Sequence, residues 1–189
     1  VIEVPPALTP LNPTSFPGRI RTAFQELGRN LDENQVKALA SLVYLETGGG
    51  KQVICYNVGN LAASESYAGP AWRPPWYDAP TDETPERLRR LHEEMLAGRA
   101  PSAFRAYSSE AEGWRAFATL LSTARYANVL AAARTGDPDQ FRRALSTHYS
   151  PDYARPEVTA SFRRIFQFYG VKRNGVALAL ILAAIYLAA

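Results

Sequence analysis

The 189 residues are 47% hydrophobic and 21% charged, enough for one domain of ordinary size with appendages, and they exclude a disordered or collagen-like chain. The net charge is only +3, and basic residues mix with acidic ones, as in Glu86-Arg87-Leu88-Arg89-Arg90, so nucleic acid is not an expected partner. The one cysteine, Cys55, excludes a disulfide framework and multi-cysteine zinc sites, and with only two distant histidines no metal and no cofactor is expected.

Residues 1–17 carry five prolines and one charge, Glu3. Repeated proline forbids helix and predicts an extended arm, either a linker or a segment lying along a partner. The arm has no basic n-region and no apolar h-region, so no secretory signal is expected there. After Pro17-Gly18, the spacing of Ile20, Phe24 and Leu27 predicts a first helix. Asp32 and Gln35 form a capping box for a second, which runs through Val36, Leu39, Leu42 and Val43 and ends at Gly48-Gly49-Gly50. Residues 51–83 crowd Gly, Pro and aromatic side chains without a helical period, which predicts irregular loops with room for a short hairpin. Thr84-Pro85-Glu86 opens a helix with Leu88, Leu91 and Met95 that stops at Gly98, and Ala103–Tyr107 alternates like a short strand. Ser109 and Glu112 form a second capping box, ahead of Trp114, Phe117 and Leu121. A helix over 126–134 stops near Gly136, and Asp137-Pro138 opens the next, with Phe141 and Leu145. The last domain helix begins near Pro156 and carries Val158, Phe162, Ile165, Phe166 and Tyr169.

Val176–Ala189 is wholly apolar. As a helix it would reach about 22 Å, against a hydrocarbon core of about 30 Å. Every face is apolar, so it reads as a membrane or assembly anchor rather than a surface helix of the domain. The flanking Lys172 and Arg173 would keep the main domain on the cytoplasmic side. The expected architecture is mainly α, a helical bundle with a small irregular or β lobe. It divides into the arm 1–17, a domain over 18–170 and a hydrophobic helix over 171–189.

Glu46 is the carboxylate that stands out. It follows Leu39 by seven residues and Leu42 by four, which puts it on the apolar face of its helix, in the last turn. Burial and the roughly half negative charge of the helix end both favour its protonated form. A glutamate moved from about 4.3 to about 6 can donate a proton near neutral pH. Three glycines after it allow a polymer to approach the backbone. Tyr56, Tyr67, Trp72, Trp76 and Tyr77 suit stacking on sugar rings, and Asn57 and Asn60 suit hydrogen bonds to hydroxyl and acetamido groups. Position alone also allows a Glu46 paired with Lys51 or facing solvent, and tryptophans that fill a small core.

Three stretches carry a resemblance. They are Leu45-Glu46-Thr47-Gly48-Gly49-Gly50 with Tyr56-Asn57-Val58-Gly59-Asn60-Leu61; Phe104-Arg105-Ala106-Tyr107-Ser108-Ser109 with Glu112-Gly113, Phe117, Leu120 and Leu121; and Leu145 to Tyr153. Together they resemble the glucosaminidase family of lysozyme-like peptidoglycan hydrolases, found in autolysins, flagellar wall-clearing proteins and phage lysins. The resemblance implies an α+β lysozyme-like fold with the small lobe beside an active-site cleft. It implies Glu46 as general acid on the β-1,4 glycosidic oxygen, and Tyr149 lining the cleft near the reacting sugar. Asn57 and Asn60 would hold the glycan, with Tyr56, Trp76 and Tyr107 as further substrate-binding candidates. A second acid would come from Glu65, Asp78, Asp82 or Glu83, of which Asp78, beside Trp76 and Tyr77, is taken as the catalytic candidate. Its separation from Glu46 would distinguish a retaining nucleophile at about 5 Å from an inverting base at about 6.5–9.5 Å. Thr47 stands where the family has serine, and His148 where it has glycine.

The implied partner is the peptidoglycan glycan strand. Residues 1–17 and 174–189 would dock the enzyme to a membrane, virion, tail or injection assembly that brings it to the bacterial wall. The alternatives are a lytic transglycosylase and a non-catalytic adaptor built on the same fold.

Overall fold

The computed structural model describes residues 2–78 and 84–170. In chain order its elements are β1 (Ile2–Glu3), α1 (Phe16–Gln25), α2 (Glu33–Glu46), β2 (Pro70–Trp72), α3 (Glu86–Leu96), β3 (Phe104–Arg105), α4 (Glu110–Leu121), α5 (Ala127–Arg134), α6 (Pro138–His148) and α7 (Pro156–Gly170). Single 3-10 turns occupy Pro13–Ser15, Ala124–Tyr126 and Pro151–Ala154. The fold is mainly α with a small sheet, as expected. The described residues group into two compact units, one of residues 2–12 and 46–117 and one of residues 13–45 and 118–170.

The second unit is helical because its caps and apolar spacings agree. The Gln35 amide donates to Asp32 Oδ1 at 2.8 Å and Asp32 N donates to Gln35 Oε1 at 3.1 Å, a complete capping box at the start of α2. Gln35 is buried, and its Nε2 also donates to the Leu130 carbonyl at 3.1 Å, which ties α2 to α5. Asp137 Oδ1 accepts Asp139 N at 2.8 Å and Gln140 N at 3.3 Å, capping α6. Phe16, Ile20, Phe24, Leu39, Leu42, Leu145 and Phe162 are fully buried. Leu27 is exposed, contrary to its helical spacing, because α1 stops at Gln25 and the chain turns at Gly28 with φ +71°.

The first unit is built around a three-stranded sheet in the order β1-β2-β3. β1 runs parallel to β2 (Ile2 opposite Pro70) and β2 antiparallel to β3 (Trp72 opposite Phe104). The anticipated hairpin within 51–83 is absent among the described residues, because β2 pairs with distant segments instead. Cys55, Trp72, Phe104 and Ala106 form the lobe's core, with Val4, Ile54 and Trp76 packed on it. The N-terminal arm is extended only as far as residue 12, because Pro13–Ser15 form a 3-10 turn and α1 begins at Phe16 with Pro17 in its first turn, where a proline needs no amide donor. The extended part is no bare linker, since its backbone is hydrogen-bonded along β2 and the 50–55 loop. At α4, Ser109 Oγ accepts Glu112 N at 3.3 Å, while Glu112 Oε2 accepts from Ser108 N at 2.9 Å and Ser108 Oγ at 2.7 Å. The carboxylate thus reaches one residue further back than a standard capping box.

Among the described residues no helix is long and apolar enough to cross a membrane. The hydrophobic helix expected over 171–189 lies outside the described residues, as do Asp82 and Glu83.

Gly113 lets α4 touch the loop below it, since a Cβ there would lie 1.9 Å from the Tyr56 carbonyl oxygen. Both partners are backbone, so neither can step aside cheaply. Gly113→Ala is expected to lower the unfolding free energy by about 2–3 kcal/mol, and thermal unfolding should show a Tm lower by about 5 °C or more. Gly18→Ala, with nothing within 4 Å of the new methyl group, is expected to leave the Tm unchanged or raise it.

Candidate active site

Glu46 is the last residue of α2 and is half-buried. The chain then turns through Gly48, Gly49 and Gly50 at φ +55°, +68° and +86°, a left-handed run that other residues would adopt only under strain. Thr47 Oγ1 accepts the Gly50 amide at 2.9 Å and closes the turn. Gly49 and Gly50 are buried and only Gly48 faces solvent, so the glycines serve the turn more than the approach of a polymer.

Asn60 reaches back to this helix end. Its Nδ2 donates to the Glu46 backbone oxygen at 2.7 Å and to Glu46 Oε2 at 3.1 Å. Asn60 itself sits at φ +48°, a conformation asparagine tolerates better than most residues. One side chain therefore satisfies a terminal helix carbonyl and orients the carboxylate beside it.

The other candidates differ in burial and partners. Asn57 is 1% exposed, and its Nδ2 donates to the Leu61 and Arg105 carbonyls, each at 3.0 Å. Its Oδ1 accepts Leu61 N at 2.8 Å. With its amide engaged on both ends, Asn57 braces the loop and does not hold a glycan. Trp76 likewise belongs to the lobe's core, edge-on to Phe104 at 5.9 Å, with Nε1 donating to the Pro101 carbonyl at 3.2 Å. Trp72 stacks on Phe104 at 5.0 Å and is buried, so it offers no sugar platform, whereas Trp76 is half-buried. Tyr107 is half-buried, and its hydroxyl oxygen is enclosed with no hydrogen-bond partner. Burial pushes its pKa up to about 12, although the nearby Arg105 charge acts in the opposite direction.

Tyr56 is half-buried at φ +53° in the same unit as Glu46. Asp78 is exposed, in the turn over residues 75–78. Glu65 lines a cleft of about 230 Å³ with Glu3, Arg73 and Tyr77, where Arg73 pairs with Glu3 at 2.9 Å and covers the Tyr77 ring at 4.0 Å. Tyr149 lies in the second unit, at the C-terminal end of α6, edge-on to Tyr126 and Tyr153. Among the described residues no group of three or more His, Cys, Asp or Glu could hold a metal ion.

The first unit joins two of the three motif stretches, which lie far apart in sequence. Asn57 bonds Arg105, Tyr107 N donates to the Cys55 carbonyl at 2.9 Å, and Gly113 lies against the Tyr56 carbonyl. No protein-family model matches the chain, and no curated protein does. Among solved structures the chain is similar to the glycoside hydrolase domain from Salmonella typhimurium FlgJ. The two share 20% identity over 94% of this chain and 97% of that chain, with a TM-score of 0.48.

Asn57→Ala is expected to strip partners from three buried backbone groups and to cost about 2–4 kcal/mol in denaturant unfolding. Tyr107→Phe removes an unpartnered hydroxyl and is expected to be neutral or stabilising at neutral pH. Because the folded pKa of Tyr107 lies above the unfolded value of about 10, the unfolded chain ionises first. Its stability contribution is therefore intact below pH about 10 and lost as pH rises towards about 12, and Tyr107→Phe should flatten that alkaline loss.

Proposed function

We propose that the chain is a peptidoglycan hydrolase of glucosaminidase or muramidase type, cleaving β-1,4 bonds of the glycan strand with Glu46 as general acid. One observation carries the reading. A half-buried carboxyl at the end of α2 is held by the Asn60 amide, within the loop that also bears the resembling motif. A general acid has to meet the leaving oxygen within about 2.6–3.2 Å as the glycosidic bond breaks. The Asn60 amide orients the carboxyl for that transfer, whereas a frayed helix-end glutamate would first have to be ordered. The oxocarbenium-like sugar is then captured by a water that a second carboxylate deprotonates, or by the carbonyl oxygen of the substrate's own acetamido group, whose adduct water opens in a second step.

A non-catalytic adaptor is the competing reading. It is favoured by Trp72, which is buried and stacked on Phe104 instead of presenting its ring to a sugar.

Clearing of purified cell-wall suspensions separates the two. The hydrolase reading predicts clearing by the wild type and about a thousandfold loss in Glu46→Gln, within the range of general-acid contributions, with wall binding and Tm unchanged. Wild-type protein that sediments with walls and clears none of them would establish the adaptor. Clearing that survives Glu46→Gln would remove Glu46 from the acid role.

A further inference from the structure

We infer that residues 2–11 form a strap that positions the loop between Glu46 and Asn60, and that the Thr9 hydroxyl is its decisive contact. The inference rests on the catalytic reading of Glu46 given above.

The strap is stitched along its whole length. Ile2 N donates to the Gly69 carbonyl at 3.2 Å and Val4 N to the Ala71 carbonyl at 2.9 Å, which fixes its first half to β2. Further along, Cys55 N donates to the Ala7 carbonyl, Thr9 N to the Val53 carbonyl and Leu11 N to the Gly50 carbonyl, each at 2.8 Å. Pro5, Pro6 and Pro10 fall between these donors, where no amide hydrogen is needed. Their fixed φ also reduces the freedom the arm loses when it docks.

Thr9 has a second role. Its hydroxyl accepts the Tyr56 amide at 2.8 Å and lies 3.3 Å from the Val53 carbonyl as donor, using both capacities of the group. The residues it holds are strained, since Cys55 and Tyr56 stand consecutively at φ +49° and +53°. Non-glycine residues in this region are strained and persist only where the surroundings fix them. Four residues after Tyr56 comes Asn60, also left-handed, whose amide sets the Glu46 carboxylate. Freeing the Tyr56 amide therefore relaxes the segment that aims Asn60. Thr9 acts through Tyr56 and Asn60 and touches no substrate, which makes it a positioning residue.

Cys55 is a built-in reporter. It is the chain's one cysteine, it is buried, and its sulfur lies 3.4 Å from Ala7 N and 3.7 Å from the Pro5 carbonyl oxygen. The test uses the full chain with Thr9→Val, which keeps the shape and removes the hydroxyl, and Thr9→Ser, which restores it. kcat and KM are measured on a soluble glycan-strand fragment, and Cys55 modification is followed with an aromatic disulfide reagent. Thr9→Val is expected to lower kcat about tenfold with KM within about twofold, and to speed Cys55 modification about tenfold. Thr9→Ser should restore both. The inference is overturned if Thr9→Val keeps wild-type kcat, whatever happens at Cys55, or if Thr9→Ser is as defective as Thr9→Val. A wild type that does not cleave glycan overturns the catalytic reading and with it the positioning role. The Cys55 rate then still decides whether the strap holds the loop.

Discussion

The Asn60 amide holds two oxygens of one residue, the backbone carbonyl of Glu46 and its carboxylate, at 2.7 and 3.1 Å. A helix ends with carbonyls that have no partner within the helix, and the last residue of α2 also carries an acidic side chain to be oriented. A single amide meets both needs. Asn60 can do so only because the chain before it doubles back, and that return depends on left-handed backbone at Gly48–Gly50, Cys55, Tyr56 and Asn60. The candidate site is therefore a problem of loop geometry before it is one of acid strength.

The lobe maintains that geometry with few resources. Its sheet strands are two or three residues long, too short to be stable alone. Its rigidity comes from buried aromatic packing of Trp72 and Trp76 on Phe104, from the Asn57 amide between Leu61 and Arg105, and from backbone contact at Gly113. The N-terminal strap adds hydrogen bonds where the strain is greatest, at Cys55 and Tyr56. Side chains that sequence chemistry assigns to a sugar are used here to keep a strained loop in place.

The helices were legible because their signals are local. Capping by Asp32 and Asp137, and apolar spacing such as Phe141 with Leu145, involve residues within one turn of each other, and each has its counterpart in the fold. Leu27 marks the limit, since it matches the spacing but lies two residues past the end of α1, at the turn into Gly28. The lobe was much less legible. Ile2 pairs with Pro70, and Asn57 bonds Arg105, contacts that no periodicity announces. Asn57 and Asn60 look alike as polar loop residues, and only their burial and partners separate a brace from a group that touches the acid. Thr9 carried no signal at all, because a proline-rich stretch reads as a linker whether or not its few donors find acceptors.

Glu46, aimed by Asn60, is proposed to break a glycosidic bond of the wall polymer. Mass spectrometry of the soluble fragments released from purified peptidoglycan tests it most directly, because the sugar at the new end reports the bond and an anhydro end would report transglycosylation. Hydrolysis through Glu46 predicts fragments with a single kind of hydrated reducing end from the wild type, and none from Glu46→Gln at matched protein and time. The same fragments from Glu46→Gln, or intact strands from both proteins, would contradict it.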